Sequence, residues 1–174
     1  KEVDWDGEAA AIVRLTNELQ GPAPFFEKVK GYPPGYRIFG TPLGTYRRLA
    51  VSMGMPAGTP LRELQAEYEK RMAQPLKPLI LKDGPCKEVV LEGQDADLYR
   101  LPTTMNMEGE DARYLGTWDL IVVKDPDSDW TNWGMYRARI HNKNLLGIAL
   151  HIANDGGFIY YRKYEALKKP MPIA

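Results

Sequence analysis

Residues 132–141 read NWGMYRARIH, a run with more polar chemistry than a purely structural strand would choose. On an extended chain the side chains alternate, so Asn132, Gly134 and Tyr136 fall on one face and Met135, Arg137 and Arg139 on the other. Arginine is seldom buried without an anion to hold, which makes this strand a candidate anion site. Five steps of about 3.3 Å separate Asn132 from Arg137 by roughly 16 Å, comparable to the reach of a mononucleotide from phosphate to ring. One strand could therefore touch both ends of such a molecule. Positions five apart face opposite ways, however, so a bulge or sharp twist is expected near Gly134.

No motif of a common mechanism accompanies this run: there is no phosphate loop, no GxGxxG after a strand, no HExxH and no GxSxG. With only His141, His151 and Cys86 present, a His/Cys metal cluster is excluded within the chain, and Cys86 follows a proline with no base in view. Plainer roles compete for several residues. Arg137 and Arg139 suit an edge strand, Asn132 suits a strand start by bonding its own backbone, and Asp155 before Gly156-Gly157 suits a helix cap. Trp118, Trp130 and Trp133 suit core or loop anchors.

The elements that must position these residues follow from pattern. A helix over 8–20 carries Ile12, Val13, Leu15 and Leu19, with Asp6 as its cap and Gly21-Pro22 as its stop. A Pro/Gly-rich loop leads to a short strand at 36–40, and two further helices open at Thr41-Pro42 and Thr59-Pro60, where Thr can cap and Pro starts the first turn. Beyond a proline-punctuated connector at 75–85, strands are expected at 86–91, 117–124, 132–141 and 145–152. Short turns at 125–128 and 142–144 imply a meander or small barrel. Residues 157–169 return to a helical pattern that ends before Pro170.

With 174 residues and 44% hydrophobic positions the chain can bury a substantial core. Its 23 basic and 23 acidic residues balance, so no overall field points to nucleic acid or an anionic membrane. A lone cysteine, no apolar run of the roughly 18 to 20 residues that span a bilayer, and no signal-peptide pattern suggest a reducing cytoplasm. Both ends look cut from something longer.

Thr117-Trp118, Thr131-Asn132-Trp133, Tyr136-Arg137, the turn Asn142-Lys143-Asn144 and Leu146-Gly147 occur in an order that resembles the UbiD family of reversible aromatic-acid decarboxylases, in the stretch that binds prenylated flavin mononucleotide (prenylated FMN). The likeness extends from Glu2-Val3 to Arg162-Lys163-Tyr164-Glu165-Ala166, essentially the whole chain. It implies an α+β fold, with a helical N-terminal portion at 1–85 packed on a small split β-barrel of the flavin-reductase-like kind at 86–174, then a C-terminal helix. By the same resemblance, Asn132 would bind a divalent ion, usually manganese, that bridges to the cofactor phosphate. Trp133 would offer its backbone carbonyl to a potassium ion. Thr117, Gly134, Met135, Tyr136 and Arg137 would contact the cofactor, and Arg137 would also pair with the substrate carboxylate within a Glu–Arg–Glu network.

Departures from the family pattern stand beside these matches. Asp155 occupies the place of a metal-binding histidine, with His151 four residues away as a substitute, and Met107 stands where relatives carry His, while Glu108 and Gly109 remain. The family's third metal ligand and both glutamates of the network would lie beyond Ala174, with its C-terminal domain. The resemblance further implies an aromatic or α,β-unsaturated acid as substrate, a homo-oligomer (dimer or higher), and a flavin prenyltransferase as cofactor supplier. Two alternatives stay open: a module that holds a flavin phosphate without decarboxylating, and an assembly piece that docks a further domain.

Overall fold

The computed structural model describes residues 1–174 and divides the chain into two compact units, Lys1–Ala96 and Asp97–Ala174. In the first unit, helix α1 (Glu8–Glu18) starts without a side-chain cap. Asp6 does not cap it. The Glu8 carboxylate instead accepts from the Asp4 amide at 2.8 Å and satisfies that donor from inside the first turn. Strands β1 (Phe25–Phe26) and β2 (Ile38–Phe39) pair antiparallel, and Phe25 meets Phe39 edge to face. Val3, Ala9 and Val29 form the buried core here, flanked by Trp5, Phe26, Tyr32 and Ile38.

Helix α2 (Tyr46–Ser52) begins later than the Thr41-Pro42 start expected from the sequence. Thr45 supplies the cap, its hydroxyl accepting from the Arg48 amide at 3.3 Å, while Thr41 sits at φ 40° in the preceding turn. Arg48 then ties this turn to α1, donating to the Gly21 carbonyl at 2.8 Å and to Asn17 Oδ1 at 2.9 Å. Helix α3 (Leu61–Met72) starts at the expected place, although Thr59 does not cap it: its hydroxyl donates to the Pro56 carbonyl at 2.7 Å.

The expected strand at 86–91 does not form. Pro85–Lys87 is a single 3-10 turn, Val89 and Val90 lie exposed, and residues 86–91 join none of the three sheets.

In the second unit β3 (Tyr114–Gly116), β6 (Ala138–Asn142) and β7 (Leu145–Ile148) make a three-stranded antiparallel sheet in the order β3-β6-β7, and β4 (Ile121–Lys124) pairs with β5 (Thr131–Gly134). Residues 173–174 return along the free edge of β4, where Ala174 and Val122 exchange backbone bonds at 2.8 and 3.1 Å. Ile121, Val123, Tyr136 and Ile159 form the core, with Ile148, Leu150, Tyr164 and Met171 packed on it. The single strand expected over 132–141 is two strands in two different sheets, interrupted at 135–137. Side chains nevertheless keep alternating through the break, with Asn132, Tyr136, Ala138 and Ile140 buried. Close approach explains the glycines here: a Cβ on Gly116 would lie 2.6 Å from the Ala138 amide nitrogen, and one on Gly134 would lie 2.5 Å from the Tyr136 ring.

The β4–β5 turn is closed by the Asp125 amide on the Trp130 carbonyl at 2.9 Å. Asp125 is buried, and the Ser128 hydroxyl, the Asp127 amide and the Lys163 ammonium hold its carboxyl below the usual aspartate range. Lys163 reaches this turn from the end of helix α4 (Asp155–Ile159), which widens into a π turn at Tyr160–Tyr164 marked by the Glu165 amide on the Tyr160 carbonyl. The regular helix is thus shorter than the 157–169 span expected and starts earlier.

Candidate functional site

A cleft of about 390 Å³ opens in the second unit between the loop 106–110, the end of β3 and the break at 135–137. Thr117, Met135, Tyr136 and Arg137, all expected cofactor contacts, line it together, and Trp118 and Met135 give it an exposed apolar wall. Arg137 is held from two sides. Its guanidinium lies 4.1 Å over the Tyr114 ring, and Nη2 donates to Glu110 Oε1 at 3.1 Å. Glu110 is itself anchored, because Oε2 accepts from the Asn106 and Met107 amides at 2.6 and 3.2 Å and only 10% of its side chain is exposed. Arg137 keeps 55% of its side chain exposed, so a fixed cation still offers free donors to the cleft.

Sequence reasoning missed Glu110. The signal for it is Gly109 at φ 83°, whose left-handed turn folds Glu110 back onto the amides before it. It also missed Asp119, a cleft residue with one buried carboxylate oxygen that has no hydrogen-bond partner. Met107, a departure from the family pattern, lines the cleft and is exposed.

Asn132 stands elsewhere. It is buried, does not line this cleft, and its Nδ2 donates to the Tyr136 hydroxyl at 2.7 Å. Of the two residues expected to reach one cofactor, Arg137 lines this cleft and Asn132 does not. Unbroken alternation carries the two side chains to opposite faces, and the chain changes sheets at 135–137 without reversing their parity. Gly156 donates its amide to the same Tyr136 hydroxyl at 2.8 Å, so Asn132 and the start of α4 meet at one oxygen. With its nitrogen committed, the Asn132 amide leaves its oxygen as the end available to a cation.

Asp155 is exposed at the first position of α4, and Asn154, not Asp155, caps that helix, its side-chain oxygen accepting from the Gly157 amide at 2.8 Å. Trp133 and Gly134 sit in the β4–β5 ladder opposite Val122 and Ile121, with the Trp133 ring exposed. His151 is exposed and Arg139 pairs with Asp111 at 2.8 Å. No three His, Cys, Asp or Glu side chains gather into a ready-made metal cage, and Cys86 is exposed.

The cleft thus sets an apolar wall beside one anchored, half-exposed guanidinium, in a mixed helix-and-sheet chain with small sheets. Comparison with known proteins gives the class of the chain. The family models for the 3-octaprenyl-4-hydroxybenzoate carboxy-lyase N-terminal domain and Rift-related domain match residues 1–68 and 79–174. The chain belongs to the UbiD family.

The pyrrole-2-carboxylic acid decarboxylase of Pseudomonas aeruginosa PAO1 is 34% identical over 182 residues, which cover 99% of this chain and 36% of that protein. The closed form of vanillic acid decarboxylase from Sedimentibacter hydroxybenzoicus superposes with a TM-score of 0.91 at 30% identity, over 99% of this chain and 37% of that one. An evolved dimeric form of the UbiD-class enzyme HmfF from Pelotomaculum thermopropionicum, in complex with prenylated FMN, shares the fold with a TM-score of 0.83 at 23% identity, over 99% and 38%. The chain spans little more than a third of the length of these relatives. No helix is long and apolar enough to cross a membrane.

Proposed function

We propose that this chain supplies the cofactor-binding part of a reversible, non-oxidative decarboxylase that acts on an aromatic or α,β-unsaturated carboxylic acid with prenylated FMN. The observation that carries the reading is the shared cleft of Thr117, Met135, Tyr136 and Arg137, in a chain that matches UbiD family models along most of its length. Residues 86–174 form the cofactor-binding portion, a split barrel of the flavin-reductase-like kind, and 1–85 the N-terminal portion. Those residues fit the group: the cleft's volume and apolar wall suit a flavin ring, and Thr117 offers a hydroxyl at its edge.

When bound, the prenylated flavin supplies the electron sink for loss of carbon dioxide. The protein's part is orientation and charge. Arg137 holds the substrate carboxylate, Glu110 and the Tyr114 ring keep its guanidinium in place, and Trp118 and Met135 offer the bound group an apolar wall. Asn132 through its amide oxygen and Asp155 through its exposed carboxylate would hold a divalent ion such as manganese, and the Trp133 carbonyl a potassium ion. Residues outside this chain supply the proton that replaces the carboxylate. The natural assembly is a homo-oligomer loaded by a flavin prenyltransferase.

Replacing Arg137 by Ala in the complete enzyme tests this directly. Turnover, read as carbon dioxide release from a panel of aryl and acrylic acids, should fall by about a hundredfold or more, while the bound-flavin absorbance persists. An Arg137→Ala enzyme with near-normal turnover would rule the assignment out.

A further inference from the structure

Tyr136 borders the Arg137 cleft, yet it belongs to the core and is only 6% exposed. Two glycines make room for it: a Cβ on Gly134 would lie 2.5 Å from its ring, and one on Gly156 would lie 2.6 Å from its hydroxyl. The Gly156 amide donates to that hydroxyl at 2.8 Å, and Asn132 Nδ2 donates to it at 2.7 Å. A backbone N–H can only donate, so Gly156 holds the phenol oxygen in place as an acceptor. The Asn132 side chain ends in a carbonyl oxygen and an NH2 group of nearly the same shape, and only the oxygen can face a cation. Buried side-chain atoms without a partner occur on Thr103, Asp119 and Arg139. The Asn132 oxygen is not one of them: it accepts from no group of the chain and remains open to solvent. Half a turn of the amide would present donor hydrogens there instead.

We infer that Tyr136 is a positioning residue for a divalent cation: its hydroxyl, pinned by the Gly156 amide, receives the Asn132 nitrogen and so keeps the Asn132 oxygen turned outward as a ligand. This rests on the reading of Asn132 as a cation ligand. Partners behind a ligating side chain fix its orientation, and losing one weakens metal binding by about ten- to a hundredfold. The effect acts through the amide nitrogen, so it vanishes where residue 132 carries none.

The test titrates the complete enzyme, loaded with FMN and freed of divalent ions, with manganese, and reads binding from the loss of the free ion's paramagnetic resonance signal. Tyr136→Phe should weaken manganese binding about tenfold. In an Asn132→Asp background, where the carboxylate presents an oxygen at either end, the same substitution should change affinity by less than about twofold. Equal weakening in both backgrounds would make Tyr136 a general structural support and overturns the proposal, as does unchanged affinity in Tyr136→Phe alone. Asn132→Ala separates the two ways to fail. If it leaves manganese binding intact, the ligand reading is wrong and the proposal falls with it; if it weakens binding while Tyr136→Phe does not, only the positioning role falls. Near-ultraviolet circular dichroism reports the folding of each variant. Should Tyr136→Phe fail to fold, 4-aminophenylalanine at position 136 decides: it keeps the ring but offers donors where the hydroxyl accepted, so it should draw the Asn132 oxygen inward and weaken manganese about tenfold. Normal affinity in that protein overturns the proposal.

Discussion

At the scale of single residues, the molecule uses short polar networks to fix groups that long side chains alone would leave loose. Arg137 illustrates this, since its usefulness to an anion depends on Glu110, and Glu110 depends on two backbone amides presented by a glycine turn. Tyr136 is the second example: its hydroxyl accepts from Asn132 Nδ2 and from the Gly156 amide in a buried setting. Tyr136→Phe strands both donors away from water, and each such loss is worth about 1 to 3 kcal/mol. Urea unfolding of the variant should show a stability loss of about 2 kcal/mol or more. A change within a few tenths would mean that the hydroxyl does not hold β5 to α4.

Among the elements, the β4–β5 turn and the end of α4 are joined by charge. Lys163 lies 2.6 Å from Asp127 and 3.6 Å from the buried Asp125, and the Asp127 carboxylate raises the lysine while Ser128 and the Asp127 amide lower Asp125. The signs follow from linkage. Asp125 titrates lower in the folded state, so its stabilisation is fully present above the ordinary aspartate value and is lost as pH falls through the lowered one. Lys163 titrates higher when folded, so its contribution is present below the ordinary lysine value and is lost as pH rises through the raised one. Protection of the β4 and β5 amides, taken as exchange relative to the intrinsic rate at each pH, should therefore fall at both extremes, and Asp125→Asn should flatten the acid limb. An acid limb unchanged by that substitution would show that the carboxylate is not responsible.

For the whole molecule, the segment between α3 and the second unit has no regular structure longer than a 3-10 turn, and Leu76, Leu79, Ile80, Val89 and Val90 in it are exposed. Exposed backbone without ladder bonds is what proteases open first. Brief trypsin treatment of the 174-residue chain should cut at Lys82 or Lys87 before any site in α1 or β3–β7, leaving two fragments that mass spectrometry can size. First cuts within 97–174 would contradict the division into two units.

How far the sequence reached follows the range of the interactions involved. Helices α1 and α3, the turns at 125–128 and 142–144, and family membership were legible, because periodicity, turn residues and motif order are local records. Cap identity was less so: Thr41, Thr59 and Asp6 had suitable side chains, yet neighbouring backbone groups took them or made them unnecessary. Residues 86–91 join none of the three sheets, and pairing with a partner distant along the chain is something no window of residues records. In the site, residue types pointed to Arg137, Thr117 and Asn132, while the tertiary structure alone decided which of them share a cavity. A change of sheet at 135–137 and the return of Glu110 to Arg137 are contacts between residues distant along the chain, so local sequence signals carry no direct trace of them.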